Sequence, residues 1–121
     1  VFPNTANGTV PMMVGAFAEG FGVFILCLVI LSLTSDENKG KPSALLAPLF
    51  IGLTITVLIN VIGPLTDAGL NPARDIGPRI AHAVLPIKGK RSSNWGYAPV
   101  PVVGPIIGGI VAVLLYQAIP W

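Results

Sequence analysis

The stretch "GPLTDAGLNPARDIGPR", Gly63 to Arg79, decides the fold, because it carries four charges, three prolines and three glycines between segments apolar enough to live in lipid. Bare N–H and C=O groups are costly in hydrocarbon, so non-helical backbone at membrane depth is tolerated only where protein buries it or where it lines a water-filled cavity. The stretch therefore reads either as a surface helix in the membrane interface or as a half-helix that enters the membrane and returns.

Its parts have distinct chemistry. Asn71-Pro72 is a strong helix start, since Asn caps well and Pro at the first helical position loses no hydrogen bond. A helix from there to about Leu85 is roughly 20 Å long, too short for a ~30 Å hydrocarbon core. If that start lies mid-membrane, the positive end of the helix dipole points into the cavity. Such a field repels cations, including protons moving along a file of water. Asn71 can donate through its amide, and Arg74 brings five donors and no acceptor. Before them "PLTDAGL", if extended, offers a row of carbonyl acceptors. A neutral solute with several oxygens would meet donors on one side and acceptors on the other. Asp75 suits the first turn and can pair with Arg79 four residues on, a scaffold contact.

Outward from this segment lie three apolar spans, at about 12–34, 44–63 and 98–118, with the re-entrant loop and half-helix at about 64–85. The first span holds one charge, Glu19. The second has none and is expected to stop at Gly63-Pro64. Ahead of it, the polar connector 35–43 ends in Ser43, a candidate cap. The third span is bracketed by Trp95 and Tyr97 and by Tyr116 and Trp121, the pattern of interfacial aromatic belts. Its Gly104 and Gly108 let another helix backbone approach closely.

An ionisable group inside a span faces the bundle interior. Gly15, Glu19 and Gly22 share one helical face, so the Glu19 carboxylate is expected to accept hydrogen bonds from N–H groups of the re-entrant loop. The competing role for Glu19 is that of a proton carrier.

Composition agrees with a membrane class. Of 121 residues, 53% are hydrophobic and 10% charged, and mean hydropathy is +0.80, where soluble domains are about a quarter charged. Net charge is +2 and the basic residues are scattered, which gives nucleic acid no surface to bind. The single cysteine, Cys27, permits no intrachain disulfide and reads as packing. No metal site or cofactor is expected. Residues 1–10 read as a loop, with a glycosylation triplet at Asn7 to Thr9 that an ordinary Asn-Gly turn also explains. No signal peptide precedes the first span, and a start on Val1 in a loop suggests that something upstream is missing.

"LNPARDIGPR" resembles the second Asn-Pro-Ala loop of the aquaporin superfamily, and Asp directly after Asn-Pro-Ala-Arg resembles its glycerol-facilitator branch. "AFAEGFGVFIL", "LLAPLFIGL" and "VVGPIIGGIVA" resemble that family's fourth, fifth and sixth helices. The resemblance implies an all-α membrane protein: three transmembrane helices plus one re-entrant half-helix, the second inverted repeat of a six-span bundle. It gives Asn71, Pro72 and Ala73 the central constriction and Arg74 the outer filter. The carbonyls of Asp67, Ala68, Gly69 and Leu70 would form the acceptor ladder, braced by Glu19. Asp75, Arg79, Pro101 and Val102 stand at positions that separate glycerol from water channels; the first three match the glycerol side, and Val102 replaces a usual Leu.

Asp67-Ala68 departs from the Gly-aromatic pair of well-known glycerol facilitators, which would widen the filter toward dihydroxyacetone. The family builds its pore from two inverted repeats, so these residues are expected to be the C-terminal half of a longer channel. The missing N-terminal half would be its partner in completing the pore, and a homotetramer its assembly. The resemblance also puts 35–43 in the cytoplasm and 84–96 outside, although Lys88, Lys90 and Arg91 outnumber Lys39 and Lys41.

The expected function is a passive multi-pass plasma-membrane channel, not an enzyme, for glycerol and other small uncharged solutes such as urea, with water, excluding protons and ions. The alternative is a proton- or ion-coupled secondary transporter, which would also use a broken helix at the midplane. An enzyme built on His82, Asp75 and Glu19 finds no shared face in the spacing.

Overall fold

A computed structural model describes residues 10–121; the Asn7 triplet and the loop reading of residues 1–9 lie outside them. The described residues form helices without strands: α1 (Met12–Thr34), α2 (Ala47–Thr66), α3 (Pro72–Val84) and α4 (Pro99–Ala118). Short 3-10 turns at Ala44–Leu46 and Trp95–Tyr97 lead into α2 and α4. With those turns included, three helical segments are long and apolar enough to cross a membrane: Met12–Thr34, Ala44–Thr66 and Trp95–Ala118. The 13 residues of α3 rise only about 20 Å.

α1 and α4 meet backbone to backbone. A Cβ built on Gly20 would stand 2.8 Å from the Gly104 carbonyl oxygen, while one on Gly104 or Gly108 would collide with the carbonyls of Ala16 and Gly20. In lipid no hydrophobic force drives helices together, so this close approach supplies the dispersion contacts that do. The Gly104/Gly108 pair thus has its partner in Ala16 and Gly20 of α1. A second cluster, Leu58, Ile62 and Ala68 with Ala18, Ile25, Leu26 and Leu70, joins α1, α2 and the loop after α2.

The polar connector is tied to the helix ends. Lys41 Nζ donates to the carbonyls of Thr34 and Ser35 at 3.3 and 2.9 Å and to Asp36 Oδ1 at 2.6 Å, a cation where the α1 dipole is negative. That hydrogen bond and the Lys41 charge hold the Asp36 carboxyl below the usual carboxylate range. Ser43 accepts the Leu45 N–H at 3.4 Å, opening the next segment as its sequence position suggests.

Two expectations are corrected. The second span does not stop at Gly63-Pro64: α2 runs on to Thr66 with Pro64 inside it. Proline disfavours a helical residue before it through contact with that residue's Cβ, and Gly63 has none. Gly77-Pro78 and Gly104-Pro105 sit inside α3 and α4 in the same manner. The aromatic belt is also only half formed, because Tyr97 and Tyr116 are buried while Trp95 and Trp121 are exposed. Tyr97 packs with Val100, and the Tyr116 ring lies tilted against Trp121 with centroids 4.6 Å apart.

The re-entrant loop as candidate functional site

The loop between α2 and α3 is held from one side by side chains. Asp67 caps α2 in the left-handed region, at φ 62° and ψ 15°, and Ala68 and Leu70 also have positive φ, 51° and 53°. The expected extended run is therefore replaced by a tight left-handed reversal. Non-glycine residues hold such angles only where their surroundings fix them. Here Thr66 Oγ1 accepts the Ala68 N–H at 3.2 Å, and Glu19 Oε1 and Oε2 accept those of Gly69 and Leu70 at 2.8 and 2.5 Å.

Glu19 is fully enclosed, at 0% exposure, and it shares its buried face with Gly15 and Gly22, as the helical spacing anticipates. A Cβ on Gly22 would press on Ile62 and Leu70, so this small stripe is what lets α1 lie against the loop. Gly69 is equally constrained: its Cβ would stand 2.9 Å from Pro101 Cβ and 3.5 Å from Glu19 Oε1. Pro101, buried in α4, is thus the wall behind Gly69, and Val102 beside it is half-buried.

With their N–H groups taken, residues 67–70 keep carbonyls that accept no hydrogen bond from the described residues. They are not equally open. Ala68 is 0% exposed and Gly69 is buried, whereas Asp67 is exposed and Leu70 half-exposed. A continuous open row of four acceptors is thus not formed by this half, because the left-handed turn folds Ala68 under α2 into the cluster of Leu58 and Ile62.

At the head of α3, Asn71 Oδ1 accepts the N–H groups of Ala73 and Arg74 at 2.8 and 3.3 Å. This bond pattern fixes the amide and leaves its NH2 to donate. Asn71, Ala73 and Arg74 are exposed, with Pro72 between them half-exposed, and the Arg74 guanidinium has no partner among the described residues.

Arg79 is committed elsewhere. It is 1% exposed and holds Asp75 with Nε at 2.8 Å and Nη2 at 2.5 Å, while Nη1 donates to the carbonyls of Ser93 and Asn94 at 2.7 and 2.6 Å. A bidentate guanidinium suits this fork. His82 Nδ1 lies 2.9 Å from Ser93 Oγ, and Lys90 Nζ caps the end of α3 on the carbonyls of His82, Ala83 and Leu85. The half-helix is in this way fastened to the segment that follows it.

Glu19, Gly69, Leu70 and Pro101 are therefore brought together, and Asp75 and Arg79 form a separate anchor. Asp67 and Arg74 join neither. Thr66 and the carbonyls of Ser93 and Asn94 escaped the sequence reading; a Thr two residues before a turn N–H is a recognisable turn pattern, but nothing local marks the carbonyls.

Three membrane-crossing segments and a short broken helix braced by a buried carboxylate define a multi-span membrane protein of the re-entrant-loop class. The chain belongs to the major intrinsic protein family, whose profile matches residues 1–116. It is 43% identical over 103 residues to glycerol uptake facilitator protein 3 of Lactiplantibacillus plantarum, covering 85% of this chain and 41% of that protein. To the glycerol uptake facilitator protein of Bacillus subtilis it is 48% identical over 102 residues, 84% of this chain and 35% of the relative. Aquaporin AqpM of Methanothermobacter thermautotrophicus is 37% identical over 100 residues, 83% and 38%. The chain thus spans about two fifths of the length of the curated relatives it matches, and these relatives include several glycerol uptake facilitators of an integral-membrane family.

Proposed function

We propose that this chain is the C-terminal half of a passive plasma-membrane channel of the glycerol-facilitator type, admitting glycerol, water and small uncharged solutes such as urea or dihydroxyacetone. The observation that carries the reading is the one-sided fastening of the loop. Thr66 and Glu19 consume the N–H groups of residues 68–70, so carbonyl acceptors, the Asn71 amide and the Arg74 guanidinium remain for a solute. Acceptors before Asn71 and donors from Asn71 onward suit a polyol, whose hydroxyls need both. The start of α3 at Asn71 sets a positive end against cations.

Both Glu19 oxygens are committed to the loop, which suits a brace and not a proton carrier. Glu19 holds the loop, Asp75 is held by Arg79 and His82 lies beside Ser93, which supports separate structural roles for the three. The pore is completed by an N-terminal half of inverted topology, and the complete protein assembles as a homotetramer. Pore walls are Asp67, Leu70, Asn71, Pro72, Ala73 and Arg74, with Ala68 and Gly69 shaping the turn behind them.

The test is osmotically driven flux in vesicles carrying the full-length protein. Glycerol flux without a proton current is expected, and flux that required an ion gradient would refute the reading. Arg74→Val should loosen ion exclusion and change polyol preference; unchanged permeability ratios would remove Arg74 from the filter.

A further inference from the structure

Of the five acidic side chains in the chain, three have partners among the described residues: Glu19 is buried on two N–H groups, Asp75 is locked to Arg79, and Asp36 pairs with Lys41. Glu37 lies exposed in the polar connector, away from the loop. Asp67 stands without a partner in the loop itself. It is exposed, and among the described residues its carboxylate accepts no hydrogen bond and forms no ion pair. Its position is unfavourable twice over. The left-handed cap at φ 62° is the place where glycine is free of penalty, and a negative charge at a helix C-terminus opposes the dipole. A residue held against both local preferences without a structural partner points to function.

The opposing field explains what it does. The unpaired Arg74 guanidinium and the N-terminus of α3 both present positive charge beside the loop, and Asp67 is the one uncommitted carboxylate in the loop and half-helix. Without it this surface would concentrate small anions. We propose that Asp67 is a specificity-determining residue at the mouth of the solute path, its carboxylate offsetting that positive field so that small anions are turned away and uncharged solutes rich in donors are accepted. This rests on the channel reading above. Asp67 then accepts a hydroxyl or amide hydrogen of the solute where Arg74 donates.

The experiment uses full-length protein in vesicles at neutral pH, comparing formate, glycerol and water permeability for the native channel, Asp67→Asn and Asp67→Gly. Asn tolerates the left-handed cap, and Gly relieves it, so one variant keeps the backbone demand and the other removes it. Both should raise the formate-to-water permeability ratio about fivefold, the factor one unit charge exerts at roughly 4 Å through water. An unchanged ratio in both variants overturns the proposal; if Asp67→Asn does not fold, the Asp67→Gly ratio alone decides. Absent glycerol flux in the native protein would sink the channel reading instead, since the formate-to-water ratio reads the Asp67 charge without reference to glycerol.

Discussion

Glu19 Oε1 accepts the backbone N–H of Gly69 at 2.8 Å across 50 residues of sequence. The neighbouring oxygen takes Leu70 at 2.5 Å, so one buried carboxylate fixes two successive peptides of a loop whose torsion angles are locally unfavourable. Loop shape is thereby set from α1, not by the loop.

Glu19→Gln tests that dependence. The amide keeps one acceptor and turns its other end into a donor facing an N–H, so the full-length protein should lose about 2–3 kcal/mol, the range of a charge-assisted hydrogen bond. Thermal unfolding in detergent measures it. A passive channel retaining its folded fraction should still show gradient-independent glycerol flux, whereas loss of solute accumulation alone would favour a proton-coupled role.

Gly108→Ala should cost about 2 kcal/mol or more, because its methyl would collide with the Gly20 carbonyl and force α1 from α4. Gly109→Ala is the control, since its nearest neighbours lie 3.9 Å away. Equal melting temperatures for the two variants would contradict the backbone contact.

Arg79→Lys keeps the charge and loses the fork. A lysine cannot serve Asp75 and two carbonyls at once, so about 2–3 kcal/mol should be lost. Hydrogen exchange should accelerate at Asn94 to Tyr97, just after the carbonyls that Arg79 holds. Unaltered exchange there would mean that the anchor is not what orders that segment.

Asn71→Ser separates capping from donation. Serine caps a helix about as well as asparagine, so stability should stay within about 0.5 kcal/mol. Its hydroxyl is too short to replace the amide donor, and glycerol flux should fall about fivefold, the worth of one neutral hydrogen bond. Flux equal to that of the native channel would take Asn71 out of the solute path.

The sequence by itself determined the three spans, the short helix and the face of Glu19, because each follows from apolar length, the Asn71-Pro72 start or the 3.6-residue period. Those signals are local and need no partner. Only tertiary structure decided that α2 passes through Pro64, that Asp67, Ala68 and Leu70 turn left-handed, that Ala68 is enclosed, and that Tyr97 and Tyr116 face inward. Gly63-Pro64 is compatible with either a stop or a continued helix, and left-handed angles at non-glycine residues survive only under external bonds. Those bonds come from Thr66 at the end of α2 and Glu19 on α1, and the wall behind Gly69 is Pro101 on α4; Glu19 and Pro101 lie far from the loop in sequence, and only the folded chain brings them against it.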